Sequence, residues 1–109
     1  MSDFSNLLES HRRLAALKHL SEAAGGRAND SLIHGILEDV GLAASRDQVR
    51  TMISWLGEQD LVIVSRPMQS VMVAQITERG IDVARGLSEC PGVQKPSPAA
   101  KMFRDAGGF

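Results

Sequence analysis

The chain has 109 residues, of which 43% are hydrophobic and 23% charged, and this composition suits a single folded domain with little room for a second. Its 12 basic and 13 acidic residues give a net charge of −1, so it lacks the overall basic character typical of nucleic-acid-binding proteins. A single cysteine excludes an intramolecular disulfide, and no apolar run is long enough to span a membrane. Acidic Asp3 and Glu9 do not fit an export signal, so we expect a cytoplasmic protein.

The first predicted helix runs from about residue 2 or 5 to residue 24, because apolar side chains recur there at helical spacing. The glycine pair Gly25–Gly26 ends it, and residues 27–28 are assigned to a linker. We expect the basic side chains of this helix to be solvated: Arg12, Arg13 and Lys18.

A second, shorter helix follows, with Asn29 or Asp30 as its cap and Gly41 at its end. Its apolar positions are expected to face the interior: Leu32, Ile33, Ile36, Leu37 and Val40. His34 and Glu38 lie four residues apart and are interpreted as a surface pair.

The third helix, residues 45–59, is predicted from Ser45 and Gln48, whose spacing is that of a reciprocal cap at a helix start. Its buried stripe comprises Val49, Met52, Ile53 and Leu56. Its polar face comprises Arg46, Asp47, Arg50, Thr51 and Ser54. Trp55 is expected to fill space between this helix and the hairpin that follows.

Two β-branched segments, residues 61–64 and 71–76, predict a hairpin with a polar tip at residues 65–70. A fourth helix is expected from Thr77 to about Leu87, weakened internally by two glycines, Gly80 and Gly86. This order predicts a mainly α winged helix-turn-helix domain over residues 1–88, with three helices, a two-stranded wing and a C-terminal helix.

The composition changes after residue 88, where proline and glycine are frequent between residues 91 and 98. We predict that residues 89–109 form a separate tail, either an extended arm or a partly disordered segment. Cys90 within it is interpreted as incidental.

Three segments carry a resemblance to a known family: SRDQVRTMISWLGEQDLV at 45–62, ITERGIDVARG at 76–86 and CPGVQKPSP at 90–98. They resemble small proteins encoded by Mu-like transposable phages and prophages, which are often described as similar to the ArsR group of regulators. The resemblance covers most of the chain up to Pro98 and implies a phage-associated winged helix. A thiolate metal sensor of the ArsR kind needs a cysteine pair, which this chain lacks, so we predict no metal and no cofactor.

The candidate DNA contacts begin with Arg46 and Arg50, one turn apart near the start of the third helix, which is the part that enters the major groove in helix-turn-helix proteins. Weaker contacts are assigned to Thr51 and Ser54 on this helix and to Arg66 and Gln69 in the wing. The alternative is a solvated face on which Arg50 pairs with Asp47, although we favour a role for Asp47 at the helix terminus.

We therefore predict a protein that reads duplex DNA with helix 45–59, as a small transcriptional regulator or a phage accessory factor. A homodimer is expected through the first helix and the tail, where apolar residues are in surplus: Phe4, Leu8, Met102 and Phe103. The alternative is a protein-interaction module in phage replication or assembly that binds a phage or host protein. The near-zero charge, the acidic pair Glu38 and Asp39, and the poorly charged wing favour it. Without a nucleophile elbow, phosphate loop or metalloprotease signature, we predict no enzymatic activity.

Overall fold

The computed structural model describes residues 3–97, and within them four α-helices and a three-stranded antiparallel sheet form a mixed α/β fold. The elements are α1 (Asp3–Glu22), a short 3₁₀ turn (Ala24–Gly26), β1 (Arg27–Asn29), α2 (Asp30–Asp39), α3 (Arg46–Glu58), β2 (Val62–Met68), β3 (Val71–Ile76) and α4 (Glu78–Arg85). Within residues 3–97, no helix combines the length and apolar composition that a membrane crossing needs.

The sheet has the order β1-β3-β2, so the predicted two-stranded hairpin is present as β2 and β3, and a third strand that was not predicted pairs with β3. The missed strand is β1, whose residues 27–29 were assigned to a linker and the following cap. Three residues without apolar alternation give no local strand signal, and β1 exists because it pairs with β3, with Ala28 opposite Ala74. The start of α2 is thereby attached to the centre of the sheet.

Strand β2 is longer than predicted, because it includes residues 65–68 from the expected polar tip. The pairing with β3 shifts between Ser65 and Met68. Pro67 lies inside this irregular stretch, where its missing N–H removes one possible ladder hydrogen bond. The connection between β2 and β3 is thus reduced to Gln69 and Ser70.

The core lies between the helices and the inner face of the sheet, and its fully buried large side chains include Leu17, Leu20, Ile33, Leu37, Val49, Ile53, Leu56, Leu61 and Met72. Two side chains of α2 that were expected inside are instead exposed: Leu32 and Val40. Val40 is the C-cap of α2, where the chain leaves the helical path, so helical spacing does not predict its direction.

Arg12 contradicts the expectation of a solvated basic face on α1, since it is only 7% exposed. Its Nε donates to the carbonyl oxygen of Leu42 at 3.0 Å, and its Nη2 donates to the carbonyl oxygen of Ala43. Its Nη1 pairs with Glu9 at 2.8 Å. The guanidinium therefore provides donors to backbone carbonyls in the turn between α2 and α3, and links that turn to α1.

The junction between α3 and α4 requires glycine at position 80. A Cβ there would lie 2.2 Å from the carbonyl oxygen of Leu61 and 2.8 Å from Cγ1 of Ile76. Gly80 also donates its N–H to the Thr77 hydroxyl at 3.0 Å, which caps α4. Gly86 is not in the interior of α4, because it forms the left-handed C-cap. Each glycine therefore has a structural role: Gly80 permits the close approach to Leu61, and Gly86 ends the helix.

We expect Gly80→Ala to lower the free energy of unfolding by more than about 2 kcal/mol, because backbone must move to admit the methyl group. Gly35→Ala is the matched control, since a Cβ at this α2 position meets no heavy atom within 4 Å. It should raise the free energy of unfolding by up to about 1 kcal/mol through helix propensity. Urea unfolding followed by circular dichroism measures both values. Effects of equal sign and size would contradict the close approach at Gly80.

Candidate nucleic-acid interface

Helix α3 begins as its sequence predicts. The hydroxyl of Ser45 accepts the N–H of Gln48 at 3.1 Å, and the Gln48 side chain accepts the N–H of Ser45 at 2.9 Å. The predicted apolar stripe is buried: Val49, Met52, Ile53 and Leu56. The cap and the stripe together fix which face of α3 is turned outward.

The predicted contact residues on the outward face of α3 differ in how exposed their side chains are. Thr51 and Ser54 are exposed. The side chain of Arg46 is 60% exposed, whereas that of Arg50 is 33% exposed. Arg46 is therefore the more available of the two arginines.

Arg46 and Arg50 converge on one carboxylate, that of Asp30 at the start of α2. Oδ2 of Asp30 lies 3.2 Å from Nε of Arg50 and 4.0 Å from Nη2 of Arg46. The ion-pair partner of Arg50 is thus Asp30, and not Asp47 as the solvated alternative proposed. Arg46 Nη2 also donates a hydrogen bond to the hydroxyl of Ser31 at 2.9 Å. Both arginines are consequently held against the start of α2.

Only 4% of the surface of Asp30 is exposed. From the sequence, Asp30 was expected only as a possible cap of α2. Asn29 performs that role by accepting the N–H of Leu32 at 2.8 Å. The last pair between β1 and β3 is Asn29 with Val73. Because the strands are antiparallel, Asp30, which follows Asn29, lies beside Met72, which precedes Val73. Its Oδ1 accepts the N–H of Met72 at 3.4 Å. The unrecognised strand β1 explains why the sequence did not reveal this carboxylate.

The hairpin candidates Arg66 and Gln69 are exposed. The hairpin packs beside the C-terminal half of α3, where a Cβ on Gly57 would lie 2.9 Å from Cγ2 of Val64. The structure brings Arg46 and Arg50 together around Asp30, and among residues 3–97 no hydrogen bond or ion pair joins Arg66 or Gln69 to that cluster.

Trp55 packs in a different place from the one predicted. The guanidinium of Arg13 lies 4.0 Å from the centroid of its ring. Arg13 also donates to the carbonyl oxygen of Gly92 at 2.9 Å, and a Cβ on Gly92 would lie 2.9 Å from Cζ2 of the indole. The ring is thus covered by α1 and by the segment after α4, rather than placed between α3 and the hairpin. Arg13 is correspondingly engaged in a cation–π contact.

The first part of the predicted tail contacts the domain. Gln94 donates its N–H to the carbonyl oxygen of Ser10 on α1 at 3.1 Å. Cys90 is 4% exposed and belongs to the core cluster, so it is not incidental to packing. The rest of the expected arm, residues 98–109, lies outside the described residues. The division of the chain at residue 88 stays a prediction.

Metal-ligating side chains do not gather on the described surface. Among residues 3–97, no three histidine, cysteine, aspartate or glutamate side chains are grouped so that they could hold a metal ion. His34 Nε2 and Glu38 Oε1 lie 3.6 Å apart on α2, which confirms the predicted surface pair.

We expect Gly92→Ala to expose Trp55, because the new methyl group would overlap the indole and because Gly92 has a φ of +97° that disfavours other residues. Gly41→Ala is the matched control: its φ is +79°, but nothing lies within 4 Å of the added Cβ. Trp55 is the sole tryptophan, so acrylamide quenching of its fluorescence reports this contact alone. Quenching should increase in Gly92→Ala and not in Gly41→Ala. Equal quenching in both variants would contradict the covered ring.

The fold resembles that of a solved structure, RosR of H. salinarum, with a TM-score of 0.57, 14% identity, and coverage of 90% of this chain and 94% of that chain. At this identity the similarity concerns the fold alone. No family model matches the chain. The resemblance to the ArsR group stays a prediction.

Two sequence relatives match over long segments. An uncharacterized protein of Haemophilus influenzae is 46% identical over 76 residues, which are 70% of this chain and 74% of the relative. The uncharacterized protein gp26 of Escherichia phage Mu is 38% identical over 96 residues, which are 88% of this chain and 98% of gp26. The predicted phage resemblance is thereby confirmed, and the chain belongs to the same protein family as gp26 of phage Mu.

Proposed function

We propose that this protein binds duplex DNA through the exposed face of α3, as a small transcriptional regulator or a phage accessory factor. The observation that carries the proposal is the position of Arg46: it is the first residue of α3, its side chain is 60% exposed, and Ser31 and Asp30 orient it. An arginine near the N-terminal end of such a helix can contact a guanine edge or a phosphate in the major groove.

The other residues have graded roles in this proposal. Thr51 and Ser54 are exposed on α3 and offer hydroxyl groups to base edges or phosphates. Arg66 and Gln69 are exposed on the hairpin and would contact the DNA backbone beside the site of α3. Arg50 is held by Asp30 and contributes less than Arg46. So few cations predict moderate affinity that falls with salt along a shallow slope, because each neutralised phosphate contributes only about 0.9 to that slope.

We also propose that the protein acts as a homodimer, since two copies would double the small number of cations that face the DNA. The N-terminal half of α1 is the surface that favours this, because Phe4 is 71% exposed and Leu7 is 50% exposed. Leu8 is partly buried. Met102 and Phe103, the other expected dimer residues, lie outside the described residues.

A second candidate function is a protein-interaction module in phage replication or assembly. The observation in its favour is the apolar surface of the hairpin, where Ile63 is 62% exposed and Met68 is 63% exposed. Large apolar side chains on a wing suit a protein partner better than a phosphate backbone. This candidate places the contact on the apolar side chains of the hairpin, whereas DNA binding places it chiefly on α3, with Arg66 and Gln69 as additional contacts.

We expect Arg46→Ala to weaken binding to duplex DNA about tenfold at low salt, which corresponds to about 1.4 kcal/mol. The slope of log K against log salt concentration should also become shallower by about 0.9, because one phosphate fewer is neutralised. Arg85→Ala is the matched control, since Arg85 is an exposed arginine in the last turn of α4 and its loss changes the net charge equally. Fluorescence anisotropy with a labelled duplex measures both quantities.

Equal losses in Arg46→Ala and Arg85→Ala would mean that only net charge matters and would contradict a role for the α3 face. Absence of binding by the unaltered protein at low salt would favour the interaction module. A hairpin variant, Ile63→Ser with Met68→Ser, should leave DNA binding almost unchanged, because neither side chain offers a polar group to DNA.

We expect Phe4→Ser combined with Leu7→Ser to convert the dimer to a monomer, because both changes remove exposed apolar area from the N-terminal half of α1. Leu32→Ser is the control, since Leu32 is similarly exposed but lies on α2. Sedimentation equilibrium measures the molar mass of each variant. A monomeric unaltered protein, or a dimer that survives the double substitution, would contradict the proposed dimer surface.

A further inference from the structure

We propose that Asp30 is an internal counter-ion that withholds Arg50 from DNA phosphates and thereby limits non-specific binding. This inference rests on the proposed function and assigns a specificity-determining role to a residue that does not itself face the DNA. The juxtaposition that carries it is a buried carboxylate 3.2 Å from the guanidinium of a candidate contact residue.

The position of Asp30 is fixed independently of the arginines. Its Oδ1 accepts the N–H of Met72 in the central strand β3, and it lies in the first turn of α2, where a negative charge is favoured by the helix dipole. The carboxylate therefore remains in place when the arginines move. A DNA phosphate that binds Arg50 has to compete with a buried charge that is always present.

The contact between Asp30 and Arg50 is electrostatic rather than a well-aligned hydrogen bond. Among the described residues, Oδ2 of Asp30 and the Nε and Nη2 atoms of Arg50 are buried without a hydrogen-bond partner. Close opposite charges attract strongly where water is excluded. Arg50 is consequently retained near Asp30 by charge, although donors on its guanidinium stay unused.

The charge balance of the cluster has a direct consequence for binding. Two arginines and one aspartate leave a net charge of +1, where Arg46 and Arg50 alone would give +2. Each neutralised phosphate adds about 0.9 to the salt slope of B-DNA binding and strengthens binding to any sequence. By cancelling one cation, Asp30 lowers affinity for random DNA and increases the share of binding that depends on base contacts.

The test compares the salt slope of the unaltered protein with those of Asp30→Asn and of the double variant Asp30→Asn with Arg50→Gln, on a random duplex. Asparagine keeps an oxygen for the Met72 N–H but releases Arg50. We expect Asp30→Asn to bind several-fold tighter, with a slope steeper by about 0.9, and the double variant to return to the original slope. A role confined to stability would change the unfolding midpoint without changing the slope.

An unchanged or shallower slope in folded Asp30→Asn would overturn the inference. If Asp30→Asn fails to fold, the double variant decides, because it contains neither charge of the pair. A double-variant slope equal to the original supports the inference, and one shallower by about 0.9 shows that Arg50 already binds phosphate and overturns it. Binding by Asp30→Asn but not by the unaltered protein would uphold the counter-ion role and refute the proposed function. Absence of binding by both would refute both proposals.

Discussion

The carboxylate of Asp30 is the interaction on which the arrangement of the candidate interface depends. It joins three elements: the first turn of α2, the backbone of β3 through Met72, and α3 through Arg50. Removal of a charged group from water is costly unless partners compensate, and here a backbone N–H and two guanidinium groups supply that compensation. The outward face of α3 is thus set partly by a charge beneath it.

Arg12 and Trp55 complete the support of α3 from other directions. Arg12 provides donors to the turn between α2 and α3, and Trp55 is covered by Arg13 and Gly92. Of the four arginines on α1 and α3, Arg12 and Arg13 are therefore committed to packing contacts. This explains how a chain with 12 basic residues presents few cations on its candidate interface.

Residue patterns within short segments predicted the helices, whereas contacts between residues far apart in the sequence determine the geometry of the candidate interface. Ser45 with Gln48, and the apolar stripe from Val49 to Leu56, are complete within α3, so the sequence predicted that helix correctly. Arg12 contacts Leu42 and Ala43, and Asp30 contacts Arg50 and Met72, at separations that helical or strand periodicity does not encode. Strand β1 was missed for the same reason, since its pairing with β3 is its only signal.

The most direct test of the account follows the backbone amides of the labelled protein by NMR during titration with a short DNA duplex. The account predicts that the largest shift changes cluster at the start of α3 around Arg46, at Thr51 and Ser54, and at Ser31 beside them. Shift changes confined to the hairpin around Ile63 and Met68, or no change at low salt, would contradict it.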